Sequence, residues 1–315
     1  MMKRPLIILT GPTAVGKTEL SISLAKKVGG EIISADSMQV YKGMDIGSAK
    51  IRPEEMMGVP HYLVDELEPD EEFHVVRFQQ TAKKYMEKIY EAGHIPVIVG
   101  GTGFYIQALL YDIDFTESGE DTGCRQELEA LAAEKGAEYL HGLLREVDPK
   151  AAEEIHANNI KRVIRALEFY RETGTQISAH NEEQRQKESP YNFAYFVLND
   201  DRGVLYEKIN RRIDLMLENG LLGEVRDLKA RGYTRNMVSM QGLGYKEILD
   251  HLDGEISLEE AVYRIKRDTR HFAKRQITWF KRERDVTWVN KQDLDCDSGR
   301  ILQYMIEILQ TRGII

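Results

Sequence analysis

Short runs of apolar residues and longer stretches of helical spacing alternate along the first hundred positions of this 315-residue chain. Leu6-Ile7-Ile8-Leu9, bounded by Pro5 and Gly11-Pro12, lacks polar alternation and predicts a strand buried on both faces of a parallel sheet. From Lys17 to Lys27 the apolar residues Leu20, Leu24 and Val28 fall at helical spacing, and Gly29-Gly30 closes the helix. Glu31 to Ala35 predicts a second strand ending at Asp36, and His61 to Val64 a third. Phe78 to Ala92 predicts a helix followed by Gly93, and Pro96 to Val99 a further buried strand running into Gly100-Gly101. Strand and helix in this order, joined by tight turns, indicate a parallel α/β sheet.

Past Phe115 the pattern changes. Residues 116–120 read as a linker, and strand signals almost vanish up to residue 180. Helices are predicted at Glu127–Ala133 and at Ile160–Arg171, the latter with Ile160, Val163, Ile164 and Leu167 on one face and Gly174 beyond. His180 to Ser189 is nearly devoid of apolar residues and reads as a return linker. Phe193 to Leu198 is strand-like again. Helical spacing then covers Arg202–Arg231 and Leu258–Arg284, ahead of a β-like Val286-Thr287-Trp288-Val289. The expected organisation is a P-loop NTPase-like α/β core, residues 1–115 and 191–315, whose parallel sheet is flanked by helices. A helical insertion domain, 116–190, interrupts it.

Composition adds two constraints. With 43 Lys and Arg against 52 Asp and Glu the formal net charge is −9, which on its face disfavours a polyanion as partner. Cys124 and Cys296 form no CxxC pair and no zinc spacing, which suits a reducing, cytoplasmic setting. The apolar run after Met1-Met2-Lys3-Arg4-Pro5 is too short to span a membrane and lacks a signal-peptide cleavage pattern, so no membrane partner is expected.

The strongest chemical signal is Gly11-Pro12-Thr13-Ala14-Val15-Gly16-Lys17-Thr18, which fits G-x-x-x-x-G-K-[ST] between an apolar strand and a helix. Glycines let backbone N–H groups turn inward around an anion, and the helix points the positive end of its dipole to the same place. Lys17 adds a mobile positive charge, and the Thr18 hydroxyl suits Mg²⁺ shared with a phosphate. The motif identifies a phosphate or diphosphate group, not a reaction. Asp36, at the end of a strand on the same edge, fits a magnesium-bound water or a general base, and equally an N-cap or Asx turn with Ser37. Gly100-Gly101-Thr102-Gly103-Phe104-Tyr105 ends another strand there, with Thr102 a neutral phosphate donor. Asp65, after His61–Val64, offers a Walker-B-like acid and keeps an ATP- or GTP-using reading open. Three segments are basic: Lys161-Arg162 with Arg165, Arg211-Arg212, and Thr269–Arg284, which holds six basic residues against Glu283 as its one acid. Phe272, Trp279 and Phe280 interleave the last, as suits unstacked bases, although each segment alone also fits a solvated helix face.

Taken together, Gly11–Thr18, Asp36-Ser37-Met38-Gln39-Val40-Tyr41, Asp45–Lys50, Gly100–Tyr105, Lys161–Glu168, Gly242–Glu247 and Phe272–Phe280 resemble the tRNA dimethylallyltransferase family, in the family's order along nearly the whole chain. The eukaryotic members' zinc finger is absent, so the resemblance is to the bacterial form, for which a monomer is implied. The resemblance implies transfer of a dimethylallyl group from dimethylallyl diphosphate to the N6 amine of the adenosine 3′ of the anticodon, with Mg²⁺ as cofactor. It implies that the P-loop holds diphosphate rather than ATP, and that Lys17, Thr13, Thr18 with Mg²⁺, Thr102 and Arg212 handle the leaving group. Asp36 would take the N6 proton. Contacts to the tRNA anticodon stem-loop are implied for Asp36, Ser37, Met38, Gln39, Thr102, Arg125, Lys161, Arg162, Arg165, Gly244, Tyr245, Lys246, Lys274, Arg275, Gln276, Trp279 and Lys281.

The rivals are a small-molecule P-loop kinase, an isopentenyltransferase acting on free AMP or ADP, and a non-catalytic RNA-binding P-loop protein. The first leaves the basic–aromatic run unexplained, and the second needs neither an insertion nor that run. The net charge is compatible with RNA because acid concentrates in stretches such as Glu117–Glu154, which holds eleven acids against four bases, while positive charge gathers in a few segments.

Overall fold

A computed structural model describes residues 3–115 and 123–315, so the linker expected at 116–120 lies outside the described residues. By internal contacts the chain divides into two units, Met1–Leu110 with Pro190–Ile315, and Tyr111–Ser189.

The first unit starts β1 (Arg4–Thr10), α1 (Lys17–Val28), β2 (Gly30–Ala35), β3 (His61–Tyr62), α2 (Val75–Glu91), β4 (Ile95–Gly100) and α3 (Gly103–Leu110). The second unit holds α4 (Cys124–Lys135), α5 (Ala137–Val147), α6 (Pro149–Glu154), α7 (Ile160–Thr173) and α8 (Ile177–Gln186). The first unit then resumes with β5 (Tyr191–Asn199), α9 (Arg202–Glu218), α10 (Leu221–Ala230), α11 (Tyr245–Leu252), α12 (Leu258–Phe280), β6 (Val286–Asn290) and α13 (Ser298–Thr311).

The six strands form one sheet in the order β3-β2-β4-β1-β5-β6, and every pairing is parallel. Ile7 in β1 stands opposite Val97 of β4 on one side and Ala194 of β5 on the other. Leu6 to Leu9 are all buried, as their unbroken apolar run predicts. The order creates a switch point. The chain leaves β1 toward β2 on one side and leaves β4 toward β5 on the other, so a crevice opens above the adjacent carboxyl ends of β1 and β4, where ligands of open α/β sheets bind.

Local chemistry explains most of the element ends. Gly29 adopts a left-handed conformation at the C-cap of α1. The single helix expected over 202–231 is two helices, because Gly220, with φ of +99°, breaks the run after Glu218 and caps α10. The helix expected to reach Arg284 ends at Phe280. The third strand is cut to two residues, since Leu63 and Asp65 take positive φ values of 60° and 59°.

The second unit has a core of its own, including Leu128, Leu140, Leu144, Val163, Ile164 and Leu167. The return linker expected at 180–189 is instead mostly helix, α8, despite its polar composition. Two hydrogen-bond sets fix it. Asp148, buried, accepts from the Ser178 N–H at 2.9 Å and Ser178 Oγ at 2.6 Å while capping α6 through the Ala151 N–H at 3.0 Å. Gln184 Oε1 accepts the Asp114 N–H at 2.9 Å. A segment without an apolar stripe is thus held by satisfied buried polar groups, which hydrophobic periodicity does not report.

Candidate active site at the carboxyl edge of the sheet

The P-loop leaves β1 and enters α1 through a left-handed Gly16, φ +99°, which stands at the N-cap with no side chain to satisfy the helix's first N–H groups. Those donors are available to an anion. The Lys17 ammonium donates to the carbonyls of Gly11 at 3.0 Å and Pro12 at 2.8 Å, folding across the loop. Burial first and the nearby Arg212 second, partly opposed by Asp36, lower its pKa to about 8. Arg212, half-buried on α9, is likewise lowered by burial and supported by Asp36. Lys17, Arg212 and Asp36 therefore share one electrostatic neighbourhood at the switch point, two cations beside one acid. Thr18 is exposed on the first turn of α1.

Asp36 follows β2. Its Oδ1 accepts the N–H groups of Met38 at 2.8 Å and Gln39 at 3.3 Å, which is an Asx turn. The turn fixes the carboxylate's orientation and leaves Oδ2 without a hydrogen bond among the described residues. The turn and the acid are thus compatible uses of one side chain.

Thr102 follows β4, and its N–H donates to the Ala35 carbonyl at 3.2 Å, so the glycine-rich turn is laced to the end of β2. Gln276 of α12 joins this turn to the P-loop. Its Oε1 accepts the Thr13 N–H at 2.9 Å and its Nε2 donates to the Gly101 carbonyl at 3.0 Å. A methyl group on Gly101 would lie 2.3 Å from Gln276 Nε2, and one on Gly103 2.2 Å from the Trp279 ring, so both glycines are required for close approach of α12.

Several residues expected on RNA sit elsewhere. Gln276 is buried and bonded to two loops, and Trp279 is half-buried against Gly103 and edge-on to Phe104, ring centroids 6.2 Å apart. Tyr245 is fully buried. Its hydroxyl donates to Glu224 Oε1 at 2.7 Å, and Gly244 beside it is buried at the N-cap of α11. Gln276, Gly244 and Tyr245 are taken up by the fold's own contacts, while Trp279 stays partly exposed. Gln39 reaches the carbonyl of Ala49 at 3.3 Å, and Met38 packs its thioether end on Gly242. Ser37 and Lys246 are half-buried, Lys246 with its ammonium 3.5 Å from Glu247. Lys274 and Arg275 are exposed on α12, and Lys281 is exposed at its C-cap.

In the helical unit, Lys161 and Arg162 are exposed on α7. Arg125 makes a two-pronged bond to the buried Glu168, at 3.1 and 2.8 Å, and Arg165 reaches the same carboxylate at 3.5 Å. Glu168 thus gathers two of the expected RNA-contacting arginines.

One functional-looking residue escaped the sequence reading. Glu224 on α10 accepts three consecutive backbone N–H groups, of Asp45 at 2.9 Å, Ile46 at 2.7 Å and Gly47 at 3.1 Å, and so moulds the Asp45–Lys50 loop. Gln276, expected on RNA, lies with Ala273 and Phe280 on the buried stripe of α12, where a lone amide on an apolar stripe marks a braced polar group. The Walker-B-like Asp65 does not belong to this site. It is paired with Lys50 at 2.7 Å, and β3 is separated from β1 by two strands, about 14 Å at the usual strand spacing.

Among the described residues no three His, Cys, Asp or Glu side chains gather as a metal cage. One hydroxyl and one carboxylate beside an anion cradle suit Mg²⁺, which retains waters and shares ligands with phosphate oxygens. No helix of the described residues is long and apolar enough to cross a membrane.

A family model described as IPP transferase matches residues 39–283. The P-loop and Asp36 precede that stretch, but full-length relatives span them. The tRNA dimethylallyltransferase of Lachnoclostridium phytofermentans is 64% identical over 312 residues, 99% of each chain. The crystal structure of the full-length tRNA isopentenylpyrophosphate transferase of Bacillus halodurans is 45% identical with a TM-score of 0.74, covering 99% of this chain and 98% of that one. A eukaryotic dimethylallyltransferase acting on tRNA is 32% identical with a TM-score of 0.80, covering 91% of this chain and 74% of that one.

Proposed function

We propose a specific reaction for this chain, which belongs to the IPP transferase family and is a tRNA-modifying transferase of the dimethylallyl-transferring kind: it joins the dimethylallyl group of dimethylallyl diphosphate to the exocyclic N6 amine of the adenosine 3′ of the anticodon and releases diphosphate. The observation that carries it is the meeting of Lys17, Arg212 and Asp36 at the switch point. The N6 lone pair, weakened by delocalisation into the purine, forms a bond to the allylic C1. The C1–O bond breaks with its electron pair leaving on diphosphate. The loop's N–H groups, Lys17, Arg212, Thr13 and Thr102 meet that growing negative charge, and Asp36 Oδ2 takes the N6 proton. Thr18 Oγ1 would hold Mg²⁺ against the diphosphate, and the bound ion would neutralise further charge there. The adenine must leave the loop stack, at a cost of a few kcal/mol, offset by contacts to the RNA backbone. Arg125, Lys161, Arg162 and Arg165 on the helical unit, and Lys274 and Arg275 on α12 with Lys281 at its C-cap, supply the positive charge for those contacts.

The test is incubation with labelled dimethylallyl diphosphate, Mg²⁺ and an anticodon stem-loop, with free AMP in parallel. Label on the stem-loop adenosine is expected. Label on AMP alone, or phosphate release from ATP without a prenyl donor, would overturn the assignment. RNA binding is expected to weaken steeply with added salt despite the acidic whole-chain charge.

A further inference from the structure

Against the P-loop, at Val15 and Gly16, lies a charged cluster that the reaction above does not use. Asp200, just past β5 and with its side chain only 1% exposed, accepts from Lys208 Nζ at 2.6 Å, Gln292 Nε2 at 2.6 Å and the Asp201 N–H at 2.9 Å. The Lys291 ammonium, on the turn after β6, stands 3.9 Å from the same carboxylate. Lys291 also donates to the Val15 carbonyl at 3.4 Å, and a methyl group on Gly16 would lie 3.6 Å from its nitrogen. Its side chain is 17% exposed.

We propose that Lys291 is a positioning residue for diphosphate, setting the P-loop through the Val15 carbonyl. In a trans peptide the C=O and N–H point in opposite directions. A cation that draws the Val15 carbonyl outward therefore turns the Gly16 N–H of the same peptide inward, into the concave face where a diphosphate oxygen would lie. The peptide leads into the left-handed Gly16, and Ala14, one residue before Val15, also takes a positive φ of 63°. A second ammonium beside the positive end of α1 is unfavourable without an anion in the loop. Asp200 holds it there, but Asp200 also carries Lys208, so the cluster keeps a net positive charge at the helix N-terminus. Lys17 satisfies loop carbonyls from within and turns to the anion; Lys291 satisfies one from outside and stays.

This rests on the reading that the P-loop holds diphosphate, and wild-type binding of inorganic diphosphate checks that reading without involving Lys291. The experiment measures inorganic diphosphate binding by calorimetry, and KM for dimethylallyl diphosphate and for the stem-loop separately, in Lys291→Met, Lys291→Arg and Asp200→Asn. Lys291→Met is expected to weaken diphosphate and raise the donor KM about tenfold, with the stem-loop KM unchanged. Lys291→Arg, which keeps a donor cation, should recover most of the loss. Asp200→Asn, which removes the charge and replaces one accepting oxygen with an NH₂ donor, should raise the donor KM about threefold. Diphosphate binding within twofold of wild type in a folded Lys291→Met would overturn the proposal. So would equal losses for both substrates without rescue by arginine, which is the mark of a merely structural lysine. If Lys291→Met does not fold, unchanged diphosphate binding by Asp200→Asn overturns it instead.

Discussion

The carboxyl rim of the sheet and the helical unit both rely on polar side chains held in place, but they spend them differently. On the rim, side-chain oxygens bind main chain. Asp36 takes the N–H groups of Met38 and Gln39, Gln276 takes that of Thr13, and Glu224 takes three in a row at Asp45–Gly47. In the helical unit, Glu168 binds the guanidinium groups of Arg125 and Arg165. The rim therefore shapes backbone, and the helical unit shapes a display of positive charge. A change on the rim should alter geometry, and so rate or donor affinity. A change in the helical unit should alter a charge count, and so only a salt-dependent affinity.

The sharpest break of that contrast is at Asp36. Asp36→Ala should lower transfer by about 10²–10⁴-fold while stem-loop binding, read by fluorescence anisotropy, persists. Asp36→Asn keeps an acceptor for both turn N–H groups and removes the base. Activity close to wild type in Asp36→Asn would reduce Asp36 to a turn residue. Next, Gln276→Ala leaves the Thr13 N–H and the Gly101 carbonyl without their partner, and the donor KM should rise about tenfold with little change in stem-loop KM. A larger effect on RNA than on donor would return Gln276 to the RNA surface. Glu224→Ala removes the acceptor for three N–H groups and should lower Tm by roughly 4–8 °C in a thermal melt.

The Lys17 ammonium gives a pH signature. Because burial holds its pKa at about 8 in the free protein, it is lost as pH rises through that value, and donor KM should climb above pH about 8. Proton uptake on diphosphate binding near pH 8.5, seen by calorimetry in buffers of different ionisation enthalpy, checks this. The unfolded lysine titrates higher, near 10.5, so between about 8 and 10.5 the unfolded chain binds more protons and this group makes stability rise with pH. The smallest effect is expected in the helical unit. Arg162→Ala should weaken stem-loop binding a few-fold, flatten the salt dependence by about one phosphate contact, and leave the donor KM alone. A changed donor KM there would erase the distinction between the two regions.

Legibility in the sequence followed the same divide. The unbroken apolar run Leu6–Leu9 and the glycines of the P-loop announced a buried parallel strand and an anion cradle, because both depend on residue type at fixed spacing. Asp36 was legible as an acid at a strand end, and the sequence left open whether it served a turn or a reaction. Strand order was not legible, since nothing local to β4 states that it lies between β1 and β2. Helix α8 was missed because Asp148 and Gln184 hold it through single hydrogen bonds rather than a stripe. Tyr245 and Gln276 stood in motifs expected on the RNA, and the structure buries both. A motif marks that a residue matters, while burial decides whether it touches a ligand or braces the wall behind it.

The parallel sheet also sets a timetable for synthesis. β1 lies at the centre, with β4 on one side and β5 on the other, and its register with β5 joins residues near 7 to residues near 194. At about 5–20 residues per second, translating those roughly 190 positions takes on the order of ten to forty seconds, during which the central strand has at least one open edge. The helical unit is contiguous and has its own core, so it can collapse within that interval while the sheet still waits for its fifth strand. Until then the apolar run Leu6–Leu9 presents an unpaired edge, open to pairing with another chain.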